Sequence, residues 1–281
     1  MTRREFVAAS ALALQTPKKP TLCVFSKHLA DIPPLEVGKV AKSLGFEGVD
    51  LTVRPKGHVP PEKVSIELAP VADAIRTAGL EVPMITTDLT STADPAARPT
   101  LEAMKRLNIP RWKVGYWRSL TLDQVRPKAE GLFSLSKEYG LTAGLHNHSG
   151  DYYGSVPYEY EQLLAGVPPS VAGYYFDPAH AFIEGGLHGW KVFTRLATAR
   201  LRMVALKDFV WEKKNGRWDV AWCPLGQGMV NWPAIFKAFK DANYTGPISL
   251  HVEYVTGDEK PALAKDLEFM RKAVAQAYGV S

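Results

Sequence analysis

VRPKAEGLFSLSKEYGLTAGLHNH, residues 125–148, contains the two periodicities that decide the fold. Its first sixteen residues carry apolar side chains at helical spacing and stop at Gly140, as an amphipathic helix does. Leu141–Leu145 then reads as a short buried strand, and it runs into His146, Asn147 and His148. Outward from this unit the same alternation recurs. Strands are expected at Leu22–Phe25, Gly48–Val53, Glu81–Thr86, Arg111–Val114, Leu141–Leu145, Gly173–Phe176, Arg202–Leu206 and Ile248–Val252. Between them lie amphipathic stretches such as LEVGKVAKSLG, VADAIRTAGL, ARPTLEAMKRLN and WPAIFKAFKDANYTG. Strands that alternate with helices pair in parallel through right-handed crossovers. Eight such units in about 260 residues favour closure into a (β/α)8 TIM barrel of the α/β class, a single domain, over an open sheet. Neither GxGxxG nor GxxxxGK[ST] follows the first strand, which removes the main reason to expect a nucleotide-binding sheet.

A chain of 281 residues with 46% hydrophobic and 22% charged residues can build a sizeable core. Its net charge of +5 is spread among acids with no basic block or aromatic-interleaved stripe, so no nucleic-acid partner is expected. The start, MTRREFVAASALALQTPKKP, resembles a bacterial twin-arginine export signal, with Arg3, Arg4 and Phe6 before an Ala-rich stretch. Residues 1–20 are therefore expected to be signal and linker, and 21–281 the barrel. The protein is expected to be periplasmic or secreted, or cytoplasmic if the first residues are only a helix. No other stretch approaches the ~20 apolar residues of a membrane span. Cys23 and Cys223 show no CxxC spacing and are expected as free thiols. WEKKNGRWDVAWCPLGQG, 211–228, reads as a hairpin turning at Asn215-Gly216 and lying over the barrel mouth.

Active sites of such barrels form at the C-terminal strand ends, where the loops converge. Six of the seven histidines fall there: His28, His58, His146, His148, His180 and His251. Strand side chains alternate with period two, so His146 and His148 share a face, as do His251 and Glu253. Asp177-Pro178-Ala179-His180 sets a carboxylate and an imidazole one short turn apart. Imidazole with two carboxylates on neighbouring strands is a ligand set for a divalent Zn, Mn or Co ion with open positions. A buried hydrogen-bond network is the alternative for the same residues.

With these residues in view, the chain resembles the sugar phosphate isomerase/epimerase group of xylose isomerase-like TIM barrels, which includes inosose dehydratase, ketose 3-epimerases and related AP endonucleases. The resemblance is carried by GFEGVDLTVRPKGHV, GLHNH, YYFDPAH, VALKDF, PLGQGMVNWPAIFKAFK and GPISLHVEY, in that order. It implies metal ligands at His146, Asp177 and Glu253, with His180 touching metal or substrate, and leaves His251 as the rival to Glu253. Where the group places a histidine two residues before the lysine of HxKD, this chain has Ala205, so one ligand is missing while Lys207 and Asp208 remain.

The resemblance implies a metal-assisted enzyme acting on a sugar, keto-sugar or polyol by proton abstraction next to a carbonyl. Glu253, His146 and Lys207 are the expected catalytic residues; Arg54, His58, His148, His180, Trp117, Trp211 and His251 are expected to bind substrate. A lyase, dehydratase or glycoside-cleaving enzyme of the same group is the near alternative, and a catalytically inactive carbohydrate-binding barrel, favoured by Ala205, is the other. Phosphodiester hydrolysis would need about three metals and a basic track. The sequence leaves homo-oligomer formation open.

Overall fold

The protein, as a computed structural model, describes residues 19–255 and 257–280. The expected export signal falls on residues 1–18 and so lies outside the described residues. In chain order the elements are β1 (Leu22–Phe25), α1 (Val37–Leu44), β2 (Gly48–Val53), α2 (Val64–Thr77), β3 (Glu81–Thr87), α3 (Ala97–Arg106), β4 (Arg111–Lys113) and α4 (Leu122–Tyr139). They continue as β5 (Thr142–His146), α5 (Pro157–Leu164), β6 (Ala172–Phe176), α6 (Pro178–Thr198), β7 (Leu201–Leu206), the pair β8 (Asp208–Lys214) and β9 (Arg217–Cys223), then α7 (Trp232–Asp241), β10 (Ile248–Leu250) and α8 (Lys260–Tyr278).

Eight strands close a parallel barrel in the order β1-β10-β7-β6-β5-β4-β3-β2, with β8 and β9 forming a separate antiparallel pair. All eight expected strands are present, differing at their ends: the fourth stops at Lys113, and the eighth stops at Leu250 rather than Val252. The hairpin starts three residues earlier than expected, directly after Lys207, and turns where Asn215 and Gly216 take φ of 49° and 80°. Left-handed backbone at both central residues matches the twist of a two-residue hairpin, which explains the Asn-Gly pair.

Local signals place the helices. α4 begins with a capping box between Thr121 and Gln124 and ends at Gly140, whose φ of 68° lets its N–H return to the helix. The main core lies between helices and barrel. A second, smaller cluster of Met84, Tyr175, Met203 and Ala205 fills the lumen. Gly144 lets Met203 pack close: a Cβ there would lie 1.8 Å from Met203 Cε, so the end of that flexible side chain would have to shift. Above these apolar residues Asp50, with no solvent exposure, accepts from Thr86 Oγ1 (2.7 Å), Tyr175 OH (2.8 Å) and Ser249 Oγ (2.8 Å). Burial raises its carboxyl pKa, and these three donors oppose the rise. The Asp50 cluster is the floor on which the mouth of the barrel stands. Cys23 and Cys223 are both free thiols. Among the described residues, no helix is long and apolar enough to cross a membrane.

Candidate active site

Period-two alternation sends one side chain in two into the barrel, and at the C-terminal rim those side chains are polar. A cavity of about 130 Å³ is lined by Phe25, Lys27, Arg54, Thr86, Lys113, Tyr116, His146, His148, Tyr175, Lys207, His251 and Glu253. Every one of the eight barrel strands or the loop following it contributes, β6 through Tyr175. A larger groove of about 710 Å³ lies along α7 and α8 around Trp232, Phe236 and Phe269; it brings together no comparable set of acids, bases and hydroxyls.

Asp177 is the hub. It caps α6 by accepting from the His180 backbone N–H (3.2 Å), and Asn147 holds its backbone from both sides through Oδ1 and Nδ2 (2.8 and 2.9 Å). Three nitrogens converge on its Oδ2: Lys207 Nζ at 3.2 Å, His146 Nε2 at 3.4 Å and His180 Nε2 at 3.7 Å. Burial alone would raise this carboxyl; the Lys207 ammonium, followed by His180 and His146, holds it well below the usual carboxylate range. His146 is anchored at its other nitrogen by Tyr116, whose hydroxyl lies 2.7 Å from Nδ1. With Nε2–H directed at the Asp177 carboxylate, Nδ1 is the acceptor and the Tyr116 hydroxyl donates. Burial lowers His146 to about 3 and His148 to about 4, and it holds His180 and His251 well below the usual imidazole range, helped by Lys207. All four imidazoles are therefore neutral at pH 7.

Across the mouth, Glu253 receives Lys27 Nζ at 2.9 Å and keeps about a quarter of its side chain exposed. Burial would raise this carboxyl, but Lys207 and Lys27 hold it below its ordinary value, so it is an available anionic base. In the closed strand order β10 and β4 are separated by three strands on either side. Glu253 and the Tyr116–His146 pair therefore face each other from opposite walls.

The structure gathers His146, His148, Lys207, Arg54, His251 and Glu253 at this cavity, with Asp177 and His180 behind it. Three expected substrate contacts are corrected. His58 is buried and engaged by Leu29 O (2.9 Å), Ser26 Oγ (3.2 Å) and Thr52 Oγ1 (3.2 Å), so it ties the β1 and β2 loops together. Trp117 is buried with its N–H donated to Thr90 O (3.0 Å). Trp211 shares the Phe209 face of β8 but lies farther out along the hairpin, exposed and edge-on to Phe209, and does not line the cavity. Trp222 on β9 takes the inner place, with Lys207 Nζ 4.8 Å from its ring centre and His180 edge-on to it. Asp208 is structural: its carboxylate accepts from the backbone of Phe209, Gly226, Gly228 and Val230 and from Trp232 Nε1, fixing the PLGQG loop.

Lys113, Tyr116 and Tyr175 complete the site and were not singled out from the sequence. Lys113 is buried with its Nζ 3.6 Å from the Tyr116 ring centre and 3.5 Å from Thr87 O, and no carboxylate pairs with it among the described residues. Burial lowers it to about 7, partly offset by Asp88. An unfolded chain holds that proton up to about 10.5, so stability rises with pH between about 7 and 10.5, and below 7 the burial penalty is present in full. The penalty is worth at most about 5 kcal/mol, of which the Tyr116 contact returns about 2. Lys113→Met is accordingly expected to raise the melting temperature by about 5–10 °C at pH 6 and by much less at pH 10, measured by calorimetry at both pH values. Loss of activity alongside that gain would mark Lys113 as retained for the site.

The residues expected as ligands do not fit a divalent ion as they stand. Among the described residues no group of three or more His, Cys, Asp or Glu side chains is placed to hold one. The reason is chemical: Asp177 Oδ2 is already met by an ammonium, Glu253 is held by Lys27, and Ala205 brings no donor.

A family model for the xylose isomerase-like TIM barrel matches residues 39–273. Inosose dehydratase of Erwinia tasmaniensis is 28% identical over 170 residues, 54% of this chain and 53% of the relative; the chain thus spans about half the length of the curated relative it matches. Among solved structures, a xylose isomerase-like TIM barrel protein from Mycobacterium smegmatis in complex with magnesium superposes with a TM-score of 0.70 at 16% identity, over 92% of this chain and 97% of that one. D-allulose 3-epimerase from Methylomonas sp. gives 0.68 at 16% identity over 92% and 99%. The 3-keto-D-glucoside 4-epimerase of E. coli gives 0.69 at 15% over 90% and 100%. With a closed eight-strand barrel, polar chemistry confined to its C-terminal rim and a match running through most of its length, the chain belongs to the xylose isomerase-like TIM barrel family.

Proposed function

We propose that this protein is a sugar epimerase or isomerase that moves a proton at a carbon next to a carbonyl, on a keto-sugar, keto-glycoside or related polyol derivative. The observation that carries the reading is the pair of proton-handling groups on opposite walls of one cavity, Glu253 on one side and the Tyr116–His146–Asp177 relay on the other. Inverting a stereocentre requires removal of a proton from one face and delivery to the other, and these walls supply both positions. The Glu253 carboxylate takes the C–H proton. The electron pair moves into the carbonyl as an enediolate, and the Tyr116 hydroxyl leaves its hydrogen bond to His146 Nδ1 and gives its proton to the far face of the carbon; the Tyr116 oxygen then regains a proton from water as Glu253 releases the one it took. Lys27, Arg54 and Lys113 offer donors to the hydroxyl groups of an oxygen-rich ligand, while Thr86, whose hydroxyl donates to Asp50, can only accept. Because the residues do not fit a divalent ion, no step is routed through one.

A dehydratase is the second reading, favoured by the similarity to inosose dehydratase. The same base would remove the proton, and Tyr116 would protonate a departing hydroxyl instead of carbon. A panel of ketoses, 3-keto-glycosides and inososes incubated with the protein in D2O distinguishes them. Deuterium at the carbon next to the carbonyl with a changed stereocentre is expected. Loss of water from a substrate would select the dehydratase, and neither exchange nor elimination across the panel would leave the carbohydrate-binding barrel.

A further inference from the structure

The cation at the centre of the site belongs to the chain itself. We propose that the Lys207 ammonium is the resident cation of this site and the group that stabilises the developing oxyanion, so that turnover needs no bound metal. The role in turnover rests on the proton-transfer reading above; the occupancy of the site does not.

Alternation along β7 puts Met203 and Ala205 into the lumen cluster and carries Lys207 upward in the same line, to the rim. Its Nζ stops 3.2 Å from Asp177 Oδ2, the oxygen that His146 Nε2 and His180 Nε2 also face. An ion ligated by those three groups would sit about 2.0–2.2 Å from each donor, and so no more than about 5 Å from the ammonium. A divalent ion and a buried ammonium that close together repel strongly, so the two compete for the same carboxylate oxygen. The lysine has little room to withdraw: its side chain is 5% exposed and lies against the Trp222 ring, and the next residue, Asp208, is fixed by five hydrogen bonds.

What the ammonium can do follows from its three N–H donors, one of which serves Asp177. Lys207 also lines the cavity, and its remaining N–H groups leave donor capacity for a substrate oxygen. When Glu253 removes the C–H proton, the electron pair reaches the carbonyl oxygen and the charge is held by a hydrogen bond from Lys207. The lysine keeps its proton throughout, and Asp177 balances its charge between turnovers. His180 Nε2, buried and without a hydrogen-bond partner, is the polar atom left over in this arrangement and stands behind Asp177 rather than in the cavity.

The test uses the purified full chain, dialysed against chelator and titrated with Mn(II), Zn(II) and Co(II) by calorimetry, with metal content read by mass spectrometry. Wild type is expected to bind no stoichiometric ion that depends on His146 or Asp177, and to keep its proton-exchange activity after chelation. Lys207→Met, which retains the packing on Trp222, is expected to lose 10²- to 10³-fold in turnover while folding by circular dichroism. One equivalent of metal in wild type, lost in both His146→Ala and Asp177→Ala, overturns the proposal, as does full turnover by Lys207→Met. If Lys207→Met does not fold, or no sugar in the panel reacts, the wild-type titration still decides whether the site holds a metal.

Discussion

Asp177→Ala is expected to cost about 3–5 kcal/mol of stability and to remove turnover together, because it leaves the Lys207 ammonium buried with no counter-charge. It also removes the cap that receives the His180 N–H, worth about 1 kcal/mol. The diagnostic partner is the double variant Asp177→Ala/Lys207→Met. Removing both charges should restore most of the stability, since neither partner is then left as an unpaired buried charge, while activity stays lost. Denaturant midpoints of the four chains give the coupling energy directly, and a coupling of several kcal/mol is expected. Additive effects would mean that Lys207 and Asp177 do not form the ion pair the structure shows.

Glu253→Gln is expected to have the other large effect, a fall of about 10²- to 10⁴-fold in kcat with KM changed little. The amide keeps the size and can still accept one hydrogen bond from Lys27, but it cannot take a proton. Stability should move by less than about 1 kcal/mol, because the Lys27 pair is partly solvated and such pairs contribute little. This contrasts with Asp177→Ala, where stability and activity fall together. Full activity in Glu253→Gln would transfer the base role to another group on the same wall, His251 being the nearest inward-facing neighbour on that strand.

The barrel was legible in the primary order for a simple reason: each strand and each helix signals its own periodicity and its own stop, and parallel closure follows from their alternation. The stretch 125–148 shows it, with an amphipathic helix, a glycine stop and a strand all read within 24 residues. The site was legible where chemistry sits past the end of a strand. His146, His148, Asp177, Lys207, His251 and Glu253 were visible because polar side chains break an apolar run there. Lys113 was not, since it lies inside its strand and looks like an ordinary surface lysine until the two flanking strands bury it. Asp50 and Tyr175 escaped for the same reason, as inward positions of strands that read as uniformly core. His58, Trp117 and Trp211 lie near strand ends yet off the cavity, because proximity to a strand end says nothing about where a loop side chain turns.

The sequence by itself determined the architecture, the rim on which chemistry collects and the absence of a histidine at position 205. Only the tertiary structure decided which charges meet. Pairing depends on distances between residues as far apart as Lys27 and Glu253 or Asp177 and Lys207, and an ion pair forms or fails within an ångström or two, far below what spacing along the chain can specify. That is why the same acids and imidazoles read as a metal centre in the sequence and stand in the fold around a lysine.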